Sequence, residues 1–337
     1  PLPTFRRQRQ MCIRDSFGDN DGAIGYLVGK EGKGVNAMFT MMNNARMEVG
    51  LQGLAVSERA YQLAGAWALD RIQGSAPGQE GPAAIIRHAD VRRMRMLMRA
   101  QIEGMRALAY TAAAQDDLAH SGGDDARVTG MRRLSLLTPV VKTWCTENSL
   151  EVTSLGVQIL GGMGFVEETG AAQHYRDARI LPIYEGTSGV QAADFTGRKV
   201  LGDGGQELKA QVDELRAFTA SIQNDDALSG IASAIEEGLD LLEQGSDWLL
   251  ANAADDPNAP GAASFNFVML AGCVLSGALL AKAAAAAHAA GGTYGTEKVA
   301  TTEFYCAHVL PRAHAFVRSI TADASVTMAI PAESFGV

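Results

Sequence analysis

Arg176-Asp177-Ala178-Arg179-Ile180-Leu181-Pro182-Ile183-Tyr184-Glu185-Gly186-Thr187-Ser188-Gly189-Val190-Gln191 sets a proline-fixed segment between two stretches of helical character. A short helix is expected over 169–177. Pro182 cannot continue a helix, because it lacks the N–H and its ring clashes with the preceding turn. Ser188, with Gln191 three residues on, reads as a capping box opening the next helix, which runs to about residue 201. Glu185 is therefore expected in an irregular loop held by rigid elements on both sides. Gly186 lets another molecule approach closely, and backbone N–H groups at a helix start are free to bind an oxygen. On residue chemistry alone, Glu185 is a loop carboxylate that water would satisfy.

Upstream, Leu155-Gly156-Val157-Gln158-Ile159-Leu160-Gly161-Gly162-Met163-Gly164-Phe165 ends a long helix expected over 126–160, its glycines acting as a C-terminal stop. Leu134, Leu137, Val141, Trp144, Val152, Leu155 and Ile159 mark its buried side. The loop 121–125 precedes it. Before that, a helix over 84–118 carries an apolar stripe of Val91, Met94, Met98, Ile102, Met105 and Ala109. Arg92, Arg93, Arg95 and Arg99 lie largely off that stripe and are expected on a solvated face. A first helix over 35–73 stops at Gly74-Ser75-Ala76-Pro77-Gly78, with Gly50 and Gly53 as close-packing points or a kink. Residues 23–28 read as one short strand, which cannot be stable by itself. Residues 1–16 match nothing that follows and are set aside as an artefact or a disordered leader.

Downstream, Gly202-Asp203-Gly204-Gly205 reads as a linker. Four further helices, over 207–223, 227–253, 264–290 and 296–322, are expected to make a second, separate bundle. Residues 267–290 are long enough to tempt a membrane assignment, but they are mostly alanine and Lys282 interrupts them, so a packed bundle helix is expected instead. Residues 207–337 hold six Lys and Arg against sixteen Asp and Glu, a net charge of −10 that leaves +1 for the rest. Such a segment repels phosphate backbones and argues against nucleic acid as its partner. Cys12, Cys145, Cys273 and Cys306 are far apart and suggest neither a disulfide framework nor a metal site. With no secretory pattern at the start, a cytoplasmic location is expected.

Two motifs carry a resemblance. Arg176-Asp177-Ala178-Arg179 followed by Tyr184-Glu185-Gly186-Thr187 resembles the acyl-CoA dehydrogenase signature Arg-Asp-Ala…Tyr-Glu-Gly-Thr. The segment from Gln158 to Phe165 is similar to that family's Gln-x-x-Gly-Gly-x-Gly-Phe. The resemblance implies a mainly α fold: residues 17–34 as a remnant β-strand of a middle domain, 35–202 as the family's C-terminal helical bundle, and 207–330 as an additional helical domain. It also implies that a preceding helical domain and most of the middle β-domain are missing. Met41-Met42-Asn43-Asn44-Ala45-Arg46 and Ala171-Ala172-Gln173-His174-Tyr175-Arg176 look closest to the C-terminally extended, methylthiopropanoyl-CoA dehydrogenase-like group.

The same resemblance implies FAD-dependent α,β-dehydrogenation of an acyl-CoA thioester. Glu185 would take the α-proton while the β-hydrogen leaves as hydride to flavin N5. The thioester oxygen would be held by fixed donors against which enolate charge develops. The family's alternative base position, just before the arginine matched by Arg46, is Ala45 here, which leaves Glu185 alone in that role. Asn43, Arg46, Tyr184 and Gly186 would line the acyl-CoA site. Arg71, Gln158, Gly161 and Gly162 would hold the FAD of a neighbouring subunit in a homodimer, and Thr187 the flavin nucleotide of its own. Electron-transfer flavoprotein is the implied electron acceptor. His174 is expected as a structural histidine beside Asp177, with an acid–base role as the alternative. The rival readings are an alkylation-response flavoprotein that binds DNA, an acyl-CoA oxidase, and a non-catalytic helical module.

Overall fold

In a computed structural model, residues 18, 21–78 and 80–336 are described. Residues 1–16, expected as an artefact or disordered, lie outside them. Two units are distinguished, 1–42 and 43–337, and each is taken by itself.

In the first unit, residues 22–28 form no strand: the backbone is irregular, and Ile24 and Tyr26 are each 90% exposed. The expected remnant strand is thus corrected. A β-strand is stable only when its N–H and C=O groups meet a partner, and the described residues contain no ladder, only the isolated bridge between Ile72 and Ala84.

The remaining elements are helical. α1 spans Gly34–Asp70, α2 Ala89–Ser121, α3 Asp124–Leu160, α4 Gly162–Phe165, α5 Ala171–Ile180 and α6 Ser188–Ala193. A π-helical stretch, Asp194–Val200, continues α6. α7 spans Gln206–Ile222, α8 Ser229–Asn252, α9 Ala259–Ala290, α10 Gly292–His308 and α11 Arg312–Ile320. The helix expected over 296–322 is therefore two, with Pro311 at the N-terminal edge of α11, where a missing N–H costs nothing.

Gly50 and Gly53 are close-packing points. A Cβ on Gly50 would lie 2.7 Å from Val141 Cγ1, and one on Gly53 2.7 Å from the Cys145 carbonyl oxygen, so α1 and α3 touch backbone to backbone there. The stripe Met94, Met98, Ile102, Met105 and Ala109 is buried as expected, with Val91 half-buried. Two of the α2 arginines leave the solvated face. The Arg95 guanidinium stacks 3.5 Å above the centre of the Tyr61 ring. Arg99 binds Glu103 at 2.9 Å and Glu297 of α10 at 3.2 Å.

The segments 43–202 and 207–330 share one buried core instead of two. The reason is α9. Its alanines, glycines and medium-sized apolar residues leave no polar face, and a helix apolar all round must be covered all round. By length and composition it could cross a membrane, but 89% of its most apolar window is buried inside the protein. It lies so close to α3 that a Cβ on Gly272 would sit 2.6 Å from Trp144 Cβ. As a result residues 136–146 of α3 are buried without a break, beyond the single face expected. The expected linker is a tight turn in which Asp203 accepts hydrogen bonds from the backbone N–H groups of Gly205 and Glu207, at 2.9 and 3.1 Å.

Candidate functional site

The loop between α5 and α6 is closed by backbone hydrogen bonds. The Tyr184 N–H reaches the Ile180 carbonyl at 3.1 Å, and the Ser188 N–H reaches the Pro182 carbonyl at 2.9 Å. Leu181 and Pro182 are buried and anchor it. Inside the turn Glu185 has φ +56° and Gly186 φ +86°. A left-handed conformation costs a non-glycine residue about 1–2 kcal/mol. The Gln191 amide offsets part of that cost by donating to the Glu185 carbonyl at 3.2 Å. Gly186 suits its φ of +86°, which side chains rarely adopt, and a Cβ there would also lie 2.6 Å from Gln191 Nε2 and displace that amide.

The expected capping box is not formed. Thr187 is the cap of α6, its hydroxyl accepting from the Val190 N–H at 3.3 Å. Ser188 is one residue inside the helix and donates to Glu147 of α3, while Gln191 turns back to Glu185. One residue of displacement thus converts a local capping pair into two tethers, one of them to α3.

The described part of α1 supplies the neighbouring wall. Tyr184 donates its hydroxyl hydrogen to Gln52. Burial pushes the Tyr184 phenol up from its ordinary value; the Gln52 hydrogen bond opposes this and Glu185 adds to it. Arg46 is 3% exposed and pairs with Asp194 at 3.5 Å, and Arg198 also binds Asp194, at 2.7 Å. Asn43, one turn before Arg46, is exposed.

Within α3 stands a residue that sequence reasoning missed. Lys142 of α3 is fully buried, and its Nζ has no hydrogen-bond partner among the described residues. Burial pushes its ammonium down to about 8; Glu147 and Glu185 oppose the shift, and Arg46 adds to it. Glu147, Asp194 and Gln52 were missed as well. One signal was available: Lys142 interrupts the run Pro139-Val140-Val141…Trp144-Cys145, where a solvated helix face would show more polar residues.

A second cleft gathers Arg71, Gln158, Gly161 and Gly162 with Trp67 and His88. Residues 71–74 are held there by backbone pairing with 83–85: Gln73 N–H to Ala83 O at 3.0 Å, Ala83 N–H to Gly74 O at 2.8 Å, and Ile85 N–H to Arg71 O at 2.9 Å. Gly161 caps α3 with φ +62°. Thr187 does not line this cleft and belongs to the Glu185 loop. Four of the five residues expected at the cofactor are therefore together and the fifth is apart. A third cleft, of about 880 Å³, lies between α1 and α5 and is lined by Gln52, Arg59, His174 and Asp177. Burial holds His174 below its ordinary value; Arg59 adds to this and Asp177 opposes it.

Residues 32–199 match the family described as acyl-CoA dehydrogenase, C-terminal domain, and residues 210–331 match acetyl-CoA dehydrogenase C-terminal like. The chain is 47% identical over 301 residues to 3-methylmercaptopropionyl-CoA dehydrogenase of Ruegeria pomeroyi, covering 86% of this chain and 51% of that protein. It is 33% identical to the broad-specificity linear acyl-CoA dehydrogenase FadE5 of Mycobacterium tuberculosis, with 86% and 51% covered. In fold it resembles Caenorhabditis elegans ACDH-11, solved in complex with C11-CoA, with a TM-score of 0.71 at 23% identity over 91% of this chain and 50% of that one. The chain spans about half the length of the curated relatives it matches. Two adjoining family matches and a relative at 47% identity lead to one conclusion: the chain belongs to the acyl-CoA dehydrogenase family.

Proposed function

We propose that this chain carries the catalytic half of an FAD-dependent acyl-CoA dehydrogenase, with Glu185 as the base that removes the substrate α-proton. The observation that carries the reading is the Glu185–Gly186 turn, a left-handed pair strained at Glu185 and tethered by Gln191 and, through Ser188, by Glu147. Strain of this kind persists where the surroundings over-determine it, and it concentrates at functional sites. Tyr184 and Gly186 flank the carboxylate, and Arg46 and Asn43, both on α1, would line the acyl-CoA side of the site.

The Arg71 cleft suits the phosphate-bearing part of FAD. It offers an exposed guanidinium, the exposed Gln158 amide, and a glycine pair with nothing within 4 Å of either Cβ position. FAD, when bound, supplies the acceptor for the hydride from the β-carbon. The protein's own part is to hold the thioester and receive the α-proton at the Glu185 carboxylate, a weak base that suffices only when fixed donors stabilise the developing enolate and so acidify the α-carbon. Thr187, apart from that cleft, would serve FAD at the Glu185 loop.

Exposed Met163 and Phe165 beside the glycine pair support cover by a second copy, as in a homodimer. Electron-transfer flavoprotein as acceptor and a cytoplasmic location belong to the same proposal. The methylthio-type relative makes short acyl-CoA and methylthiopropanoyl-CoA the first substrates to test. The acidic 207–337 segment disfavours a DNA-binding role.

The test joins this chain to the N-terminal half of a close relative and follows acyl-CoA oxidation with an artificial electron acceptor. Glu185→Gln is expected to lower turnover by about 10²- to 10⁴-fold. Near-normal turnover would reject Glu185 as the base, and retention on duplex DNA at moderate salt would favour the rival.

A further inference from the structure

Gln191 stands near the start of α6, its backbone fixed by the bond from its N–H to the Thr187 carbonyl at 3.0 Å. Side chains on a helix lean toward its N-terminus, so a long polar residue in the first turns reaches back over the loop that precedes them. Gln191 does so. Its Nε2 donates to the Glu185 carbonyl at 3.2 Å, and the same nitrogen lies where a Cβ on Gly186 would be 2.6 Å away. One carboxamide thus covers both residues of the left-handed pair. The side chain is fully buried, and its Oε1 has no hydrogen-bond partner among the described residues. A buried acceptor without a partner costs stability, a cost that an apolar side chain of similar length would not carry. A carboxamide is a poor choice for packing here and a good one for holding a carbonyl.

We propose that Gln191 is a positioning residue for Glu185: by holding the Glu185 carbonyl it keeps that residue in its left-handed conformation and so fixes the direction in which the carboxylate leaves the backbone. The inference rests on Glu185 being the base. Released from the tether, a residue with a side chain relaxes toward the extended or right-handed regions, and its Cα–Cβ bond swings with it. Proton transfer depends on placement, and a displacement of about 1 Å can cost about 10²-fold in rate. Contacts that bind the thioester elsewhere are untouched, so loss of the tether shows in kcat and leaves KM.

Two measurements test this. Tyr184-Glu185 is the only Tyr-Glu step in the sequence, so isotope labels on tyrosine carbonyl carbon and glutamate nitrogen single out the Glu185 amide by NMR in the 337-residue chain. Gln191→Met, which fills the space without a donor, should move or split that signal. Gln191→Glu keeps the shape; ionised it only accepts, and protonated it can donate. Its Glu185 signal should therefore return toward the parent position as pH falls, a reversal that filling space would not produce. In the enzyme completed with the N-terminal half of a close relative, Gln191→Met should lower kcat by about 10- to 100-fold, with KM for butanoyl-CoA changed less than about threefold. A Glu185 signal unmoved in both variants overturns the proposal, as does a kcat within about twofold of the parent in Gln191→Met. The amide signal needs neither FAD nor turnover, so the failures separate. Parent-like turnover in Gln191→Met beside an inactive Glu185→Gln removes this role and leaves the base. Undiminished turnover in Glu185→Gln removes the base, and this role with it.

Discussion

Trp144 and Lys142 are two residues apart on α3, and burial means opposite things for them. Trp144 packs against Gly272 of α9 so closely that not even a methyl group would fit between them. Lys142 is buried with no hydrogen-bond partner among the described residues, and burial pushes its ammonium down while Glu147 and Glu185 oppose the shift. One side of the helix is an apolar seam whose strength is contact; the other buries a charge that the protein leaves without a hydrogen bond. The seam also sets the terms for that charge. By covering the far side of α3, α9 helps keep water from residues 136–146, and in a dry surrounding an unpaired charge is expensive and a paired one is strong. The C-terminal helices thereby shape the medium around Lys142.

The contrast can be broken from either side. Trp144→Ala should cost about 3–5 kcal/mol, the ordinary loss for emptying a tryptophan-sized site in a core, and chemical denaturation would read it. A loss under about 1 kcal/mol would mean that α9 does not press on α3 as described. Gly186→Ala should cost about 2–3 kcal/mol, from the positive φ and the collision with Gln191, and should lower turnover of the completed enzyme as well. If stability fell and turnover held, the turn would be architectural only.

Lys142→Met should have the opposite sign, stabilising the chain by about 1–2 kcal/mol near neutral pH. The folded lysine titrates near 8, below the ordinary 10.5. Between those values the unfolded chain holds the proton that the folded chain has released, so the parent gains stability relative to the variant as pH rises. The advantage of Lys142→Met should therefore be full below pH 8 and shrink from 8 to 10.5. A pH-independent difference would remove the depressed ammonium from the explanation.

Much of this was legible in the residues. The three- and four-residue spacing of Met94, Met98, Ile102 and Met105 placed the α2 core face, and the glycines at 161–164 marked the end of α3. The family resemblance that the two motifs carry pointed to Glu185 and, separately, to Arg71, Gln158, Gly161 and Gly162, and the fold brings those last four to one cleft. Other features were not legible. The remnant strand failed because pairing is a property of two segments. The cap moved from Ser188 to Thr187 because Glu147, 41 residues away, competes for the serine hydroxyl. Arg95 and Arg99 left the solvated face because Tyr61 and Glu297 lie on other helices.

By itself, then, the sequence determined what is local: helix periodicity, the proline and glycine punctuation, the acidic C-terminal segment and the loop that presents Glu185. The tertiary structure decided what depends on approach. It set α9 at the centre of a shared core, buried Lys142 without a hydrogen bond, and tied the Glu185 loop to α3 through Ser188 and Glu147. The physical reason is that burial and charge pairing are sums over neighbours in space. A buried lysine and a solvated one are the same residue until the helices around it are in place.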